Sequence, residues 1–360
     1  MIKVCIIGCG MIANNAHIPA YLNNKNDYCI TAVADYNSDV AKKTAEKHHI
    51  DAYYQSVDEM LNIHKPDLVS VCTPNLHHKE FVKKALEAGA NVLCEKPLAT
   101  TYKDAKELFD LAQKNGKVLM ACQSLRFLPE RLAAKKIVDD GIIGDIYYAE
   151  FSRIRSRGIP TWGKFHIKSA SGGGALLDIG VHSLDSTLWL MGNPKPTSVT
   201  ATMHKVHSGE MGDAKSSGAL KGGVDTKKFN PNEMDVESFA SGTVCFENGA
   251  SLNFKVSWAS NLREENNIVL SGKDCGIDLE NQNLYAHGNN PAKFEVAKNG
   301  FETEPFFGHF CLVENMADVL LRGKTPFVLP EETLNVTAII EAAYRSAEQK
   351  CTVDINTLIR

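Results

Sequence analysis

The chain has 360 residues, 44% of them hydrophobic and 23% charged, with a formal charge of −4 at pH 7. That length favours two domains over one, and that charge supplies no basic field for nucleic acid or anionic lipid. No apolar run approaches a membrane span, no basic leader precedes the first apolar run, and the ten cysteines are scattered through apolar segments without metal-type spacing. The expectation is a cytoplasmic protein with reduced thiols and no bound metal.

The β-branched run Ile2 to Ile7 enters Gly8-x-Gly10-Met11-Ile12-Ala13, a strand turning tightly into a helix. In such a turn Gly8 makes the bend, Gly10 lets the backbone reach a pyrophosphate, and Ala13 permits close helix–strand packing. A second run, Ile30 to Ala34, ends in Asp35, at the distance expected for an acid that binds ribose hydroxyls; a solvated turn residue is the bland alternative. Asp35 in that role repels a 2′-phosphate, and Tyr36, Asn37 and Ser38 bring no arginine to bind one, so NAD is expected in preference to NADP. Strands are predicted near 2–7, 29–34, 67–72, 91–94 and 117–122, and helices near 12–24, 38–48, 57–62, 76–88 and 102–115. Asn75 is placed to cap the fourth helix and Thr100 or Thr101 the fifth. Regular alternation of this kind makes a doubly wound, mostly parallel sheet whose ligands bind beyond the strands' carboxyl ends. Those ends carry Gly8, Asp35, Thr73-Pro74-Asn75 and Glu95-Lys96-Pro97.

Beyond residue 123 the pattern changes. A helix near 129–140 is followed by an alternating strand over 145–155 and by further strands near 196–203, 236–246, 249–258, 266–272 and 276–280, with a turn at Asn248-Gly249. Consecutive strands without intervening helices imply a large, mostly antiparallel open sheet, hence an α+β domain over 124–360 after an α/β domain over 1–123. Residues 207–233 are polar and rich in Gly, Ser and Lys, a long loop that is either a lid or a surface insertion. Helices over 306–322 and 331–349 close the chain, the terminal one able to pack back on the first domain. Between these regions lies Gly172-Gly173-Gly174 followed by a helix. At about 100° per residue Asp178, His182 and Asp185 share one stripe with Trp189 nearby, while Leu177, Val181, Leu184 and Leu188 form another. One face is built for burial and the other presents a carboxylate and an imidazole.

Those motifs resemble the Gfo/Idh/MocA oxidoreductases over nearly the whole chain. The resemblance is carried by Gly8-x-Gly10-x-Ile12-Ala13, Asp35, Thr73-Pro74-Asn75 with His78 behind it, Glu95-Lys96-Pro97, and Gly172-Gly173-Gly174 through Asp178, Gly180, His182 and Asp185. It implies an N-terminal Rossmann domain, a C-terminal domain whose open sheet builds homodimers or homotetramers, and hydride transfer between a nicotinamide and a secondary alcohol carbon of a sugar, polyol or sugar derivative. It also implies a cofactor site formed by Gly8, Gly10, Met11, Ile12, Asp35, Thr73, Pro74, Asn75, His78, Glu95 and Lys96.

Oxidation of a secondary alcohol releases a hydride and a hydroxyl proton, so a base is required. A lysine serves as one only when desolvation or a neighbouring charge lowers its pKa, whereas histidine begins near neutrality. Lys96 and His182 are therefore both candidates, with Asp178 one turn before His182 to orient the substrate or hold a neighbour's charge. Arg126 matches a family arginine that contacts ligand or caps the domain junction. The run from Arg153 to His166 leads into the glycines, and its Arg153 and Trp162 suit a sugar, though Trp and Arg also favour subunit interfaces. Substrate-binding candidates are thus Lys96, Arg126, Arg153, Trp162, Asp178 and His182. Two other functions share these features: a glycosidase that oxidises its sugar transiently before elimination, and an NAD-binding regulator without catalysis.

Overall fold

In the first sheet, six parallel strands run in the order β3-β2-β1-β4-β5-β6: β1 (Ile2–Ile7), β2 (Tyr28–Ala34), β3 (Tyr53–Tyr54), β4 (Leu68–Val71), β5 (Asn91–Cys94) and β6 (Leu119–Ala121). The computed structural model describes residues 1–160, 164–206, 230–286, 290–297 and 306–359. Val4, Cys5, Ile6 and Ile7 are at most 1% exposed, as expected for a central parallel strand covered on both faces. The strand order reverses between β1 and β4, the switch point at which doubly wound sheets bind ligands. Helices α1 (Ile18–Asn23), α2 (Ser38–His48), α3 (Val57–His64), α4 (His78–Glu87) and α5 (Tyr102–Lys114) connect the strands.

Local capping chemistry sets several of these boundaries. The side chains of Asn37, Ser56 and Thr101 accept hydrogen bonds from Asp39, Glu59 and Asp104 N–H, opening α2, α3 and α5. Asn75, by contrast, begins a 3₁₀ turn over Asn75–His77 instead of capping α4. The helix after the glycines is wound as a π-turn over Ala13–His17 before α1 begins.

Two compact units divide the chain: residues 1–124 with 302–333, and residues 125–301 with 334–360. The C-terminal span is thus interrupted by a segment that belongs with the first sheet. Its helix, Phe307–Arg322, packs on α1, and Tyr28 donates through its hydroxyl to the Val313 carbonyl at 2.7 Å.

The second unit contains α6 (Pro129–Asp139), the single turn α7 (Lys168–Ser171) and α8 (Val181–Leu190) with a nine-stranded sheet. Its strands are β7 (Ile146–Ile154), β8 (Pro196–His204), β9 (Phe239–Phe246), β10 (Ser251–Ser257), β11 (Glu265–Gly272), β12 (Gly276–Asp278), β13 (Asn283–Tyr285), β14 (Ala292–Lys293) and β15 (Val353–Asp354). The order is β14-β13-β12-β11-β7-β10-β9-β8-β15, antiparallel except for the β7/β10 pair. Alternation decides the faces: Leu252, Phe254 and Val256 of β10 are buried while Ser251, Asn253 and Lys255 are half-exposed. The open face is polar and internally bonded, with Thr243, Asn253, Tyr148, Glu150 and Lys255 in one chain of contacts. No helix among the described residues is long and apolar enough to cross a membrane.

Inside this unit Arg126 and Asp185 form a bidentate pair, Nε to Oδ2 at 2.8 Å and Nη2 to Oδ1 at 2.6 Å, with both side chains at most 1% exposed. The guanidinium also lies 5.7 Å from the Trp189 ring centroid. Removing one partner leaves a buried charge without its counterion. Asp185→Asn is therefore expected to destabilise the protein by about 3–5 kcal/mol, and the double change Arg126→Met with Asp185→Leu by less than either single change. Urea unfolding of Asp185→Asn, Arg126→Met and the double variant checks this; equal or greater loss in the double variant would contradict it.

Candidate active site

The ligand-facing edge of the first sheet begins at Gly8, whose φ of +90° and position make a side chain impossible. A Cβ there would sit 2.8 Å from the carbonyl carbon and oxygen of Cys72 and 2.9 Å from the nitrogen of Thr73. A Cβ on Gly10 would meet no protein atom within 4 Å, so the space above that glycine is open. Asn14 braces the turn, its amide donating to the carbonyls of Cys9 and Gly10 and to Thr44, while its own oxygen accepts from His48. Asp35, at the end of β2, accepts from the N–H groups of Cys9 and Asn37, both at 2.9 Å, and remains half-exposed. Thr73 carries a buried hydroxyl with no hydrogen-bond partner among the described residues. Open space over Gly10, a helix starting directly behind it, an acid at the second strand's end and an unsatisfied hydroxyl at the fourth together fit a dinucleotide.

Behind this edge lies a buried hydrogen-bond network. His17 Nε2 and His309 Nε2 each donate to Glu95 Oε1 at 3.0 Å, and the Lys96 N–H donates to Glu95 Oε2 at 3.2 Å. On its other side His17 Nδ1 accepts from Ser70 at 3.2 Å, and Ser70 from Tyr21 at 2.6 Å. Burial alone raises a carboxyl's pKa, but the two imidazole donors outweigh it and hold Glu95 well below the usual carboxylate range. Burial pushes His17 down despite Glu95. His78 is fully buried with its ring between two carbonyl oxygens, Nδ1 2.6 Å from Pro97 and Nε2 2.8 Å from Thr73, and burial lowers its pKa as well. The His78 ring thereby sits between the Thr73-Pro74-Asn75 loop and the Lys96-Pro97 loop, its one N–H able to donate to either carbonyl.

In the second unit the helix after the glycines starts as a π-turn, Leu176–Gly180, and continues as α8. From Leu176 to Leu190 every residue is buried except Asp178 and His182. Asp178 Oδ2 accepts from the indole N–H of Trp258 at 3.0 Å, and Trp258 itself is fully buried. Arg153 stands half-buried near Asp178 with Arg155 and Arg131 close by; burial, then those two like charges, push it down to about 10 against the pull of Asp178. Arg131 donates to Ser186.

Several sequence expectations are corrected here. The stripe of Asp178, His182 and Asp185 does not survive, because Asp185 and Trp189 are interior and Asp185 is spent on Arg126. Arg126, expected to contact substrate, is fully buried in that pair. Glu95 and His78, expected to bind cofactor, are buried with their side chains against protein groups. Trp162 and residues 207–229 lie outside the described residues. Asn14, His17, His309 and Trp258 carry no motif, and only the finished fold shows what they contact.

A Rossmann sheet with an open glycine turn, joined in one chain to a large mixed sheet and a helix bearing a half-exposed carboxylate and imidazole, defines a nicotinamide-dependent oxidoreductase. Comparison with known proteins makes the assignment specific. Residues 2–123 match the model of the oxidoreductase family with NAD-binding Rossmann fold, and residues 132–278 match the GFO/IDH/MocA C-terminal domain. The chain belongs to the Gfo/Idh/MocA oxidoreductase family. It is 33% identical to D-glucoside 3-dehydrogenase of Escherichia coli over 98% of this chain and 97% of that protein. Aldose-aldose oxidoreductase from Caulobacter crescentus, solved with glycerol, superposes with a TM-score of 0.79 at 24% identity, covering 98% and 99% of the two chains. The WlbA dehydrogenase from Bordetella pertussis, solved with NADH and UDP-GlcNAcA, superposes with a TM-score of 0.79 at 20% identity, covering 98% and 97%. Both superpositions support the fold.

The buried histidines make stability depend on pH. A histidine whose pKa is lowered by folding binds more protons when unfolded, so stability is lost as pH falls through the unfolded value near 6.5. His17 and His78 are each expected to cost up to about 1.4 kcal/mol per pH unit below that point, and the Glu95 contribution to disappear only below about pH 4.3. Urea midpoints between pH 7.5 and 5.5 should fall, with a shallower slope in His17→Gln. Identical slopes in the two proteins would refute the assignment of His17.

Proposed function

We propose that this protein is an NAD-dependent dehydrogenase that moves hydride between the nicotinamide and a secondary alcohol carbon of a sugar, polyol or sugar derivative. D-Glucosides are the first substrates to test. The observation that carries the reading is the pair Asp178 and His182, the two residues left unburied on an otherwise interior helix, in a chain alike over its whole length to a D-glucoside dehydrogenase.

Bound NAD supplies the hydride acceptor. Gly8, Gly10, Met11 and Ile12 hold its phosphates, Asp35 its ribose hydroxyls, and Thr73, Pro74, Asn75 and Lys96 the nicotinamide end. Lys96, Asp178 and His182 form the proton-handling site: as hydride leaves the substrate carbon, Lys96 or His182 accepts the hydroxyl proton. Asp178, held by the Trp258 indole, orients the substrate and balances positive charge. Arg153 donates to substrate oxygens. The polar open face of the second sheet supports self-association as a homodimer or homotetramer, measurable by light scattering.

A panel of polyols, aldoses and glycosides with NAD or NADP tests the reading through absorbance of the reduced cofactor, with an aglycone assay alongside. Reduction of NAD by at least one sugar without aglycone release is expected; aglycone release without net reduction would identify a glycosidase. NAD should give the higher kcat/KM, and Asp35→Ser should weaken NAD and narrow the gap between cofactors. Better use of NADP by the unmodified protein would show Asp35 to be misassigned. Lys96→Ala and His182→Ala should each lower turnover by roughly 10²–10⁴-fold while cofactor binding survives, and the double variant should lose far less than the product. Near-normal turnover in both folded single variants would sink the proton-handling site.

A further inference from the structure

Two of the three glycines ahead of the active-site helix make room for protein. A Cβ on Gly173 would lie 2.1 Å from the Tyr344 hydroxyl, and one on Gly174 would lie 1.9 Å from the Glu237 carbonyl oxygen. The same two residues bind the helix start. Glu237 Oε1 accepts from the N–H of Gly174 at 3.1 Å, from that of Leu176 at 3.0 Å and from the Tyr344 hydroxyl at 2.8 Å, while Oε2 accepts from Gly174 N–H at 3.0 Å. The Ala175 N–H donates to the Glu237 carbonyl at 3.1 Å. Three successive amides, 174 to 176, are therefore satisfied by one residue.

Glu237 is 6% exposed and makes no ion pair among the described residues. A carboxylate in the interior without a cation is costly, and here the donors at a helix N-terminus and one phenol stand in for a counterion. The clamp lies two residues ahead of Asp178, just where the chain takes its π-wound turn. A π-turn inserts one residue into a helical turn, so the angle between Asp178 and the following residues depends on where that turn begins.

We infer that Glu237 and Tyr344 are positioning residues that fix the start and rotational setting of the helix carrying Asp178 and His182. The inference rests on the proposed role of those two side chains but makes a claim of its own: the direction in which His182 is presented depends on a carboxylate that touches no ligand. Glu237→Gln keeps the shape but turns an N–H₂ toward amides that need an acceptor. Tyr344→Phe removes only the phenol.

Full-length Glu237→Gln, Tyr344→Phe and the double variant are compared for kcat, for KM toward the sugar, for NAD dissociation and for thermal midpoint. Misplacement of reacting groups by about 1 Å costs up to about 10²-fold, so kcat per folded molecule should fall roughly 10-fold or more in Glu237→Gln, with NAD dissociation unchanged. Tyr344→Phe should show a smaller loss. Because both act on the Gly174 amide, the double variant should lose less than the product of the two. Unchanged kcat per folded molecule, or losses that multiply, would overturn the inference. If Glu237→Gln does not fold, Tyr344→Phe decides alone, by its kcat with NAD dissociation as control. If the unmodified protein oxidises no sugar, the proposed function fails separately, and the His182 ring resonance, assigned by its disappearance in His182→Asn, becomes the readout. A changed shift in Tyr344→Phe or Glu237→Gln then supports the clamp, and an unmoved resonance in both refutes it.

Discussion

Oε1 of Glu95 accepts from two imidazole nitrogens contributed by residues 17 and 309, 3.0 Å from each. An ionised carboxylate in a protein interior is tolerable only when donors surround it, and its cost without them is several kcal/mol. That requirement propagates outward through the first unit. The helix behind the glycine turn must bring His17 to the end of β5, and the segment carrying His309 must dock against the same strand end. The other carboxylate oxygen takes the Lys96 N–H, so the backbone that presents the lysine is oriented by the same charge. His78 sits between two neighbouring loops.

The second unit solves a similar problem by different means. Its buried carboxylates are Asp185, matched by a guanidinium, and Glu237, matched by main-chain amides and a phenol. Asp178 accepts an indole N–H and lies in the field of Arg153 and Arg155, and it stays half-exposed. The acids held in the interior define the framework, and the half-exposed Asp178 lies at its edge.

Much of this was legible in the sequence because the signals are local. Strands β1, β2, β4 and β5 are followed by Gly8, Asp35, Thr73 and Glu95, and such punctuation lies within a few residues of the element it closes. The Asn248-Gly249 turn between β9 and β10 belongs to the same class, with Gly249 at φ +83°. Strands β3, β13, β14 and β15 have two or three residues each, too few for any period to show. Partnerships were invisible for another reason. His309 and Glu95 lie 214 positions apart, and Glu237 and Leu176 61 apart; no spacing rule connects them. The stripe that grouped Asp185 with His182 was read from one helix alone, and pairing with Arg126 takes Asp185 into the interior. Glu95 and His78 were recognised as important from their motifs, yet the motif does not say whether a side chain points at a ligand or at its own chain.

The interrupted first unit has a consequence for synthesis. Its sheet is complete once residue 121 has been made, but the helix over Phe307–Arg322 that covers α1 comes from near the end of the chain. On a ribosome adding about 5–20 residues per second, the nascent sheet therefore waits on the order of ten seconds or more for that cover. Throughout that interval Glu95 has one imidazole donor instead of two, and α1 lacks the helix that packs on it. Contacts this distant in sequence form late and slowly. The first unit therefore completes its packing only after most of the chain has been made.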